Sequence, residues 1–416
     1  MSDPDTTQCP TRLDPPAHIA VIGAGIIGTC CAAELRDRGY RVALYDRGEP
    51  GQEGASRANA GQLIPSLIQP IAYPGIWRDA PRLLAARDSP LAIAPSHLPR
   101  LVTWLCRFLA SSRRDAWRRG VASLAELNAG AMAATRDLYG RAGLLDSLEN
   151  TGALFLHESP ASLDRARADW TEKSEHGYEH EILSPQALRD LEPDLAASFS
   201  GAILERSVCH VSDPLKIVEG LYRYTTARGT VFRRSDVRIA AAGGDGVELA
   251  GADGGRERFD GLVIAAGAWS RQLLRQIGDD AALESDRGYN ITIPDPGVAI
   301  RRCLVFADRG FVATPLKSGL RIGGGVELAG LAAPPNPIRL QRMLEAAKRF
   351  MPGLDDRGGE TWMGHRPATP DSLPVIRASD RHPRIVYAFG HGHLGLTQGP
   401  VTGRRVAGLF AGTGAV

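Results

Sequence analysis

The chain has 416 residues, 43% of them hydrophobic, which suits two packed domains of about 150 residues each and excludes a disordered polymer. Lys plus Arg number 49 against 47 Asp plus Glu, and a net charge of +2 gives no broad field for nucleic acid. The six cysteines (Cys9, Cys30, Cys31, Cys106, Cys209 and Cys303) form no C-x-x-C pair, so neither zinc nor a disulfide framework is indicated and a reducing cytoplasm is expected.

Residues 1–16 are polar and proline-rich and lack the basic start and apolar core of a signal peptide, so a disordered tail is expected. The uncharged span Ile19 to Ala33 covers 15 residues and holds three glycines, short of the roughly 20 that a membrane helix requires. It reads instead as strand, turn and helix. An apolar run from Ile19 to Ile22 precedes Gly23, Gly25 and Gly28 in G-x-G-x-x-G spacing. A helical pattern follows to Arg38, and a second β run from Arg41 to Tyr45 ends on Asp46.

Each glycine has a physical task in such a turn. Gly23 permits the tight bend, Gly25 lets backbone approach a pyrophosphate, and Gly28 lets helix and strand pack closely. The helix, opening at Ile26 and Ile27, offers free N–H groups to phosphate. Asp46, 18 residues after Gly28 and next to Arg47, stands where an acid accepts ribose hydroxyls. An ADP-containing dinucleotide is expected. Cys30 and Cys31 lie inside the helix as small buried residues.

The stretch "GQEGASRANAGQLIPS", residues 51–66, has few bulky groups. It suits backbone wrapped round a flat ligand, or an ordinary surface loop, with Ser56, Asn59, Ala60, Gly61 and Gln62 as candidates for cofactor contact. Residues 97–120 carry Leu101, Val102, Leu105, Phe108 and Leu109 at helical spacing, with arginines at 100, 107, 113, 114, 118 and 119. This is a half-buried helix or an interfacial one on anionic lipid, and the first reading is favoured. A further helix is expected from Leu124 to Arg141.

Residues 229–239 give two short β runs, where Val237 offers backbone to an adenine ring or simply fills a core. A buried strand from Leu262 to Ala265 then turns at Ala266 and Gly267 into a helix near Trp269, like another parallel strand delivering small residues to the same ligand edge. In "GLRIGGGVELAG", residues 319–330, the triple glycine allows close approach to a ligand in an otherwise structural strand.

After the strand end Tyr387 to Phe389 comes "GHGHLGLTQG", residues 390–399, leading into a helix from Leu396 to Phe410. Gly395, Gly399 and Gly403 recur every four residues and leave one helix face bare. The amides around Gly392, His393, Leu394, Gly395, Leu396 and Thr397 point at whatever negative charge develops there. A reduced flavin carries such charge and a nicotinamide does not, so a flavin is expected. His391 and His393 lack a third ligand of clear spacing, and no metal is expected.

With these pieces in order, the chain resembles the D-amino-acid oxidase superfamily, and most closely its bacterial D-amino-acid dehydrogenase (small-subunit) branch. The matching stretches are "VIGAGIIG", "SRANAGQLIPS", "AAGAWS", "RGYNITIP", "GHRPATPDSLPVI" and "GHGHLGLTQGPVTGRRVAGL", which run from residue 18 to the end. The resemblance implies FAD, non-covalent because no cysteine stands in the C-terminal motifs. It implies hydride transfer from an amino acid's α-carbon, giving an imine that hydrolyses to a 2-oxo acid, with quinone or oxygen as electron acceptor. It places the carboxylate-binding arginine at Arg366, a role that the planar guanidinium fork suits. His365 stands where relatives often carry an apolar residue, which leaves the fine substrate pocket open. Tyr289 either reaches substrate or packs in a sheet.

The expected fold is α/β (α+β). A Rossmann-like FAD-binding domain is assembled from residues 17–85, 205–278 and 360–416, and a substrate domain with a mostly antiparallel sheet from 86–204 and 279–359. Three functions stay open: a D-amino-acid dehydrogenase, including one for a proline derivative; a glycine or sarcosine type oxidase making hydrogen peroxide; and a flavin-bearing subunit of a larger dehydrogenase.

Overall fold

The computed structural model describes residues 11–85 and 89–413. Residues 1–10 of the expected tail and 414–416 of the expected FAD-binding segment lie outside the described residues. Residues 11–16 are not tail-like. Leu13 N–H donates to the Phe410 carbonyl at 2.7 Å, and Tyr40 Oη donates to the Leu13 carbonyl at 2.8 Å. Two backbone anchors and a buried Thr11 hold down a stretch whose composition alone reads as disordered.

Two large sheets dominate. The first has six strands in the order Val231–Arg234, Arg41–Asp46, His18–Ile22, Gly261–Ile264, Ile385–Phe389 and Val375–Ala378. All neighbours are parallel except the last pair. The inner strands are continuous apolar runs because both faces are covered. Ile22 pairs with Tyr45 and with Ile264, so the turns after these three strands leave the sheet at one edge.

One face carries the helices Ile26–Asp37 and Gly395–Ala411, packed on each other. A Cβ added at Gly403 would come within 2.7 Å of the Cys30 carbonyl oxygen, so the four-residue glycine period is the contact surface between the two helices. Cys30 and Cys31 are core residues there. The other face is covered by the meander Arg238–Gly243, Gly246–Ala250 and Arg256–Phe259, with Phe259, Leu249 and Val247 buried against Ile22 and Ile264.

The second sheet has nine strands and is mostly antiparallel, in the order Glu360–Ala368, Glu284–Ile293, Gly319–Leu328, Phe311–Leu316, Cys303–Phe306, Ala153–His157, Gly201–Glu205 and Glu181–Leu183, with Leu91–Ile93 added beside Gly319–Leu328. Its far face packs on the helix Pro337–Phe350 through Ala346, Ala347 and Phe350. Helices around one parallel and one mostly antiparallel sheet give the mixed α/β class expected from the sequence.

Two helix expectations change. The span Leu124 to Arg141 is two helices, Arg114–Ala129 and Ala131–Ala142, joined at Gly130. Residues 97–120 also fall on two helices, because Arg113 is extended (ψ 140°) and ends Leu98–Ser111. In that helix Leu101 and Trp104 are buried while Leu98, Val102 and Leu109 stay exposed. No helix among the described residues is long and apolar enough to cross a membrane.

Candidate active site

A cavity of about 1040 Å³ lies between the two sheets, against the edge where the parallel strands end. Small-molecule pockets typically measure ~300–1,000 Å³, so there is room for a dinucleotide together with a small substrate. The first turn forms one end. A Cβ at Gly23 would stand 2.3 Å from the Ala265 carbonyl oxygen, and Gly23 has a φ of +109°, a conformation that disfavours any side chain. Gly25, Ile26 and Ile27 line the cavity. Gly28 does not; a Cβ there would come within 1.7 Å of the Gly23 carbonyl oxygen, so its part is close packing behind the wall.

Asp46 faces the same end. Its carboxylate accepts from Ala24 N–H at 2.7 Å and from Gly48 N–H at 3.0 Å, which ties the two βα turns together. Burial raises its pKa against the pull of those bonds. Beside it the Arg47 guanidinium lies 4.1 Å above the Trp269 ring. Val237, Ala266 and Gly267 complete this end, with Ser235, Asp236 and the meander loop at Gly251 and Gly254.

The small-residue stretch wraps the middle of the cavity and forms one short helical turn, Gly54–Ser56, and a two-residue strand, Gln62–Leu63, paired with Cys209–Val211. Side chains pin it from both sides. Ser56 Oγ accepts from Ile26 N–H at 3.0 Å at the helix N-terminus. Asn290 Nδ2 donates to the Ala58 carbonyl at 2.7 Å, and buried Arg321 donates to the Asn59 carbonyl at 2.9 Å. Ser56, Asn59, Ala60 and Gln62 line the cavity; Gly61 does not, because its φ of +74° turns the chain so that its carbonyl accepts from Val211 N–H.

The C-terminal motif closes the other end. Gly392, His393, Leu394, Gly395, Leu396 and Thr397 line it, at the start of the helix Gly395–Ala411. Thr397 Oγ1 accepts from Ile64 N–H at 3.2 Å. His391 is buried with Nε2 2.9 Å from Thr402 Oγ1, and burial pushes its pKa down to about 3. His393 is pushed down to about 4 by desolvation and the nearby Arg366 charge, against Asp286. Its ring is 38% accessible through the open cavity, and water there moderates the depression. Among the described residues no cluster of His, Cys, Asp or Glu suits a metal.

Arg366 stands on Glu360–Ala368 and faces the cavity. Its Nη1 donates to Asp286 and, at 2.8 Å, to the Gly325 carbonyl. The rest of the guanidinium lies over Gly288, where a Cβ would clash at 2.0 Å with Nη2. His365 also lines the cavity, with Nδ1 2.7 Å from Ser285 Oγ and its ring against Trp269, and burial lowers its pKa to about 4. Tyr289 lines the cavity, but its hydroxyl is engaged: it donates to Glu327 and accepts from Asn336 N–H at 3.0 Å. The sequence reading did not single out the apolar floor, Phe155, Val305, Phe311 and Pro90, nor Asp286 behind Arg366. The triple glycine Gly323 to Gly325, noted for close approach, belongs to that floor.

Comparison with known proteins fits this geometry. Residues 18–409 match the family described as DAO, FAD dependent oxidoreductase. The chain belongs to this family. A D-amino-acid oxidase of Bradyrhizobium diazoefficiens is 35% identical over 401 residues, 95% of each chain. A D-amino acid dehydrogenase of Methylobacterium radiotolerans is 30% identical, covering 95% of this chain and 96% of that one. Glycine oxidase from Geobacillus kaustophilus has the same fold, with a TM-score of 0.71 at 20% identity, covering 96% of this chain and 99% of that chain. The family is FAD-dependent, and the glycine turn that a Cβ would fill, the helix N-termini and Asp46 form a cradle that fits that group.

Proposed function

We propose that this FAD-dependent oxidoreductase oxidises the α-amine of a D-amino acid, a proline derivative included, to an imine that hydrolyses to a 2-oxo acid. The observation that carries this reading is Arg366, a guanidinium on the wall of the cavity that also holds the dinucleotide cradle. The relatives named for D-amino acids support the substrate class.

Bound FAD supplies the acceptor for the hydride of the α-carbon. The side chains then have few tasks. Arg366 fixes the carboxylate with the guanidinium edge not taken by Asp286, so most of the rate comes from positioning. Neutral His393 adds no second cation beside the amine, which must itself be unprotonated to release hydride. The backbone N–H groups that open Gly395–Ala411 face the negative charge that electron transfer brings. Asp46 holds the ribose end, and non-covalent binding is expected because none of the described cysteines lines the cavity.

Mixing FAD-loaded protein anaerobically with D- and L-amino acids tests the proposal. Bleaching by D-amino acids supports it, and a flavin that no amino acid reduces removes it. A second reading, a glycine or sarcosine type oxidase, takes support from the likeness to glycine oxidase. Glycine-driven oxygen uptake with peroxide release would favour it over a quinone-linked dehydrogenase or a subunit of a larger complex. For a quinone acceptor we propose peripheral contact through the exposed Leu98, Val102 and Leu109 with neighbouring arginines, tested by co-sedimentation with anionic liposomes.

A further inference from the structure

We propose that the substrate cavity carries a second carboxylate subsite centred on Arg339, and that the preferred substrate is an amino acid with a short acidic side chain. This rests on the amine-oxidation reading above.

A smaller cavity of about 40 Å³ adjoins the main one behind the glycine run. Pro90, Tyr289, Gly310, Phe311, Gly324 and Gly325 line both. The small cavity is walled by three guanidinium groups, Arg309, Arg339 and Arg342. Arg366 and Arg339 approach one residue, Gly325: Nη1 of Arg366 donates to its carbonyl at 2.8 Å, and a Cβ built on it would stand 3.8 Å from Nη2 of Arg339. Gly325 has a φ of +74°, so the chain places no side chain in the space between them.

The cations beside Arg339 have partners within the protein. Arg309 is forked onto Glu158 at 2.6 Å through both Nε and Nη2. Buried Arg287 pairs with Glu327 at 3.4 Å, and Glu327 also accepts from Tyr289 and Asn336. Arg339 forms no ion pair among the described residues, and its Nη2 donates to the Pro90 carbonyl at 2.6 Å. Burial lowers its pKa, the response of a cation that is desolvated without full compensation. A carboxylate entering from the main cavity would give it the charged partner that it lacks, with the planar, bidentate geometry that guanidinium favours. With the α-carboxylate on Arg366, the position of Arg339 suits a side-chain carboxylate of aspartate or glutamate length.

Two measurements on FAD-loaded protein test this. The first is anaerobic flavin reduction by aspartate and glutamate against asparagine and glutamine, both enantiomers of each. The acids should be favoured at least 10-fold in kcat/KM, and in Arg339→Gln that ratio should fall at least 10-fold while Arg339→Lys retains part of it. Acids that reduce the flavin no better than the amides, or a ratio that Arg339→Gln does not move, would overturn the subsite and leave the amine-oxidation reading standing. The second is the flavin difference spectrum on titration with succinate and butyrate, which needs no turnover. Tighter binding of succinate, lost in Arg339→Gln, supports the subsite even if no amino acid is oxidised. Equal binding of the two acids overturns it.

Discussion

Asp286 and Arg366 are register partners on neighbouring antiparallel strands, and the buried carboxylate of the first receives Nη1 of the second at 3.2 and 3.3 Å. The same carboxylate lies 3.4 Å from Nε2 of His393. One buried anion thus orients both polar side chains at this end of the cavity. In Asp286→Asn the amide keeps the shape and loses the charge. Hydrogen bonds to charged groups contribute about 1.5–3 kcal/mol, so kcat/KM should fall roughly 10-fold or more, mainly through KM, with FAD content unchanged. Steady-state kinetics and the flavin absorbance of the purified variant check this; an unchanged KM would remove Asp286 as a positioning residue.

Arg366 itself should be costlier to lose. In Arg366→Ala the carboxylate of the substrate meets no fork and Asp286 is left without its nearest cation. Truncating one partner of a close charge pair costs about 2–5 kcal/mol, so KM should rise by roughly two orders of magnitude. FAD binding should persist, since the cradle is formed by other segments. Normal turnover in this variant would refute the assignment of the carboxylate site.

The dinucleotide end was legible because it depends on local backbone chemistry. Gly23 and Gly28 occupy positions that no Cβ fits, and Asp46 ends its strand at a fixed distance from them. The C-terminal helix was legible for a related reason: a four-residue glycine period has few uses other than close packing. The far end of the cavity was not. Phe155, Phe311 and Pro90 come from segments brought together only by the order of the nine-stranded sheet, and the pairing of Asp286 with Arg366 is a matter of register across 80 residues. The break at Gly130 was missed because a single glycine disfavours a helix by only ~1 kcal/mol, while the tertiary packing of the two helices decides. The anchoring of Leu13 by Phe410 and Tyr40 likewise has no local signal.

Asp46 gives a prediction at the legible end. Both of its carboxylate oxygens accept backbone N–H groups, from Ala24 and Gly48. In Asp46→Asn one of these donors faces an amide nitrogen instead of an acceptor, and the turn must shift. Loss of a buried acceptor costs about 1–3 kcal/mol, so FAD should bind roughly 10-fold or more weakly. Fluorescence titration of the apoprotein with FAD measures this.

Gly403→Ala probes the helix contact. The added methyl would press on the Cys30 carbonyl at 2.7 Å and on Glu34, and rigid backbone cannot yield as a side chain would. Overpacking of this kind costs about 1–3 kcal/mol, seen as a lower midpoint in urea. Gly244→Ala, where a Cβ meets nothing within 4 Å, is the control and should be near neutral.

His391 makes stability depend on pH with a defined sign. Burial keeps its imidazole neutral down to about 3, whereas in the unfolded chain it takes a proton near its ordinary value of 6.5. Between those values the unfolded state binds the extra proton, so stability is fully present above 6.5 and declines as the pH falls through that window. The loss is about 1.4 kcal/mol for each pH unit at most, from this one residue. His391→Gln removes the titrating group and can still reach Thr402. Its urea midpoint should therefore change less between pH 7.5 and pH 5 than that of the unaltered protein, even if it starts lower. The same pH slope in both proteins would show that the imidazole is not held neutral by its burial against Thr402.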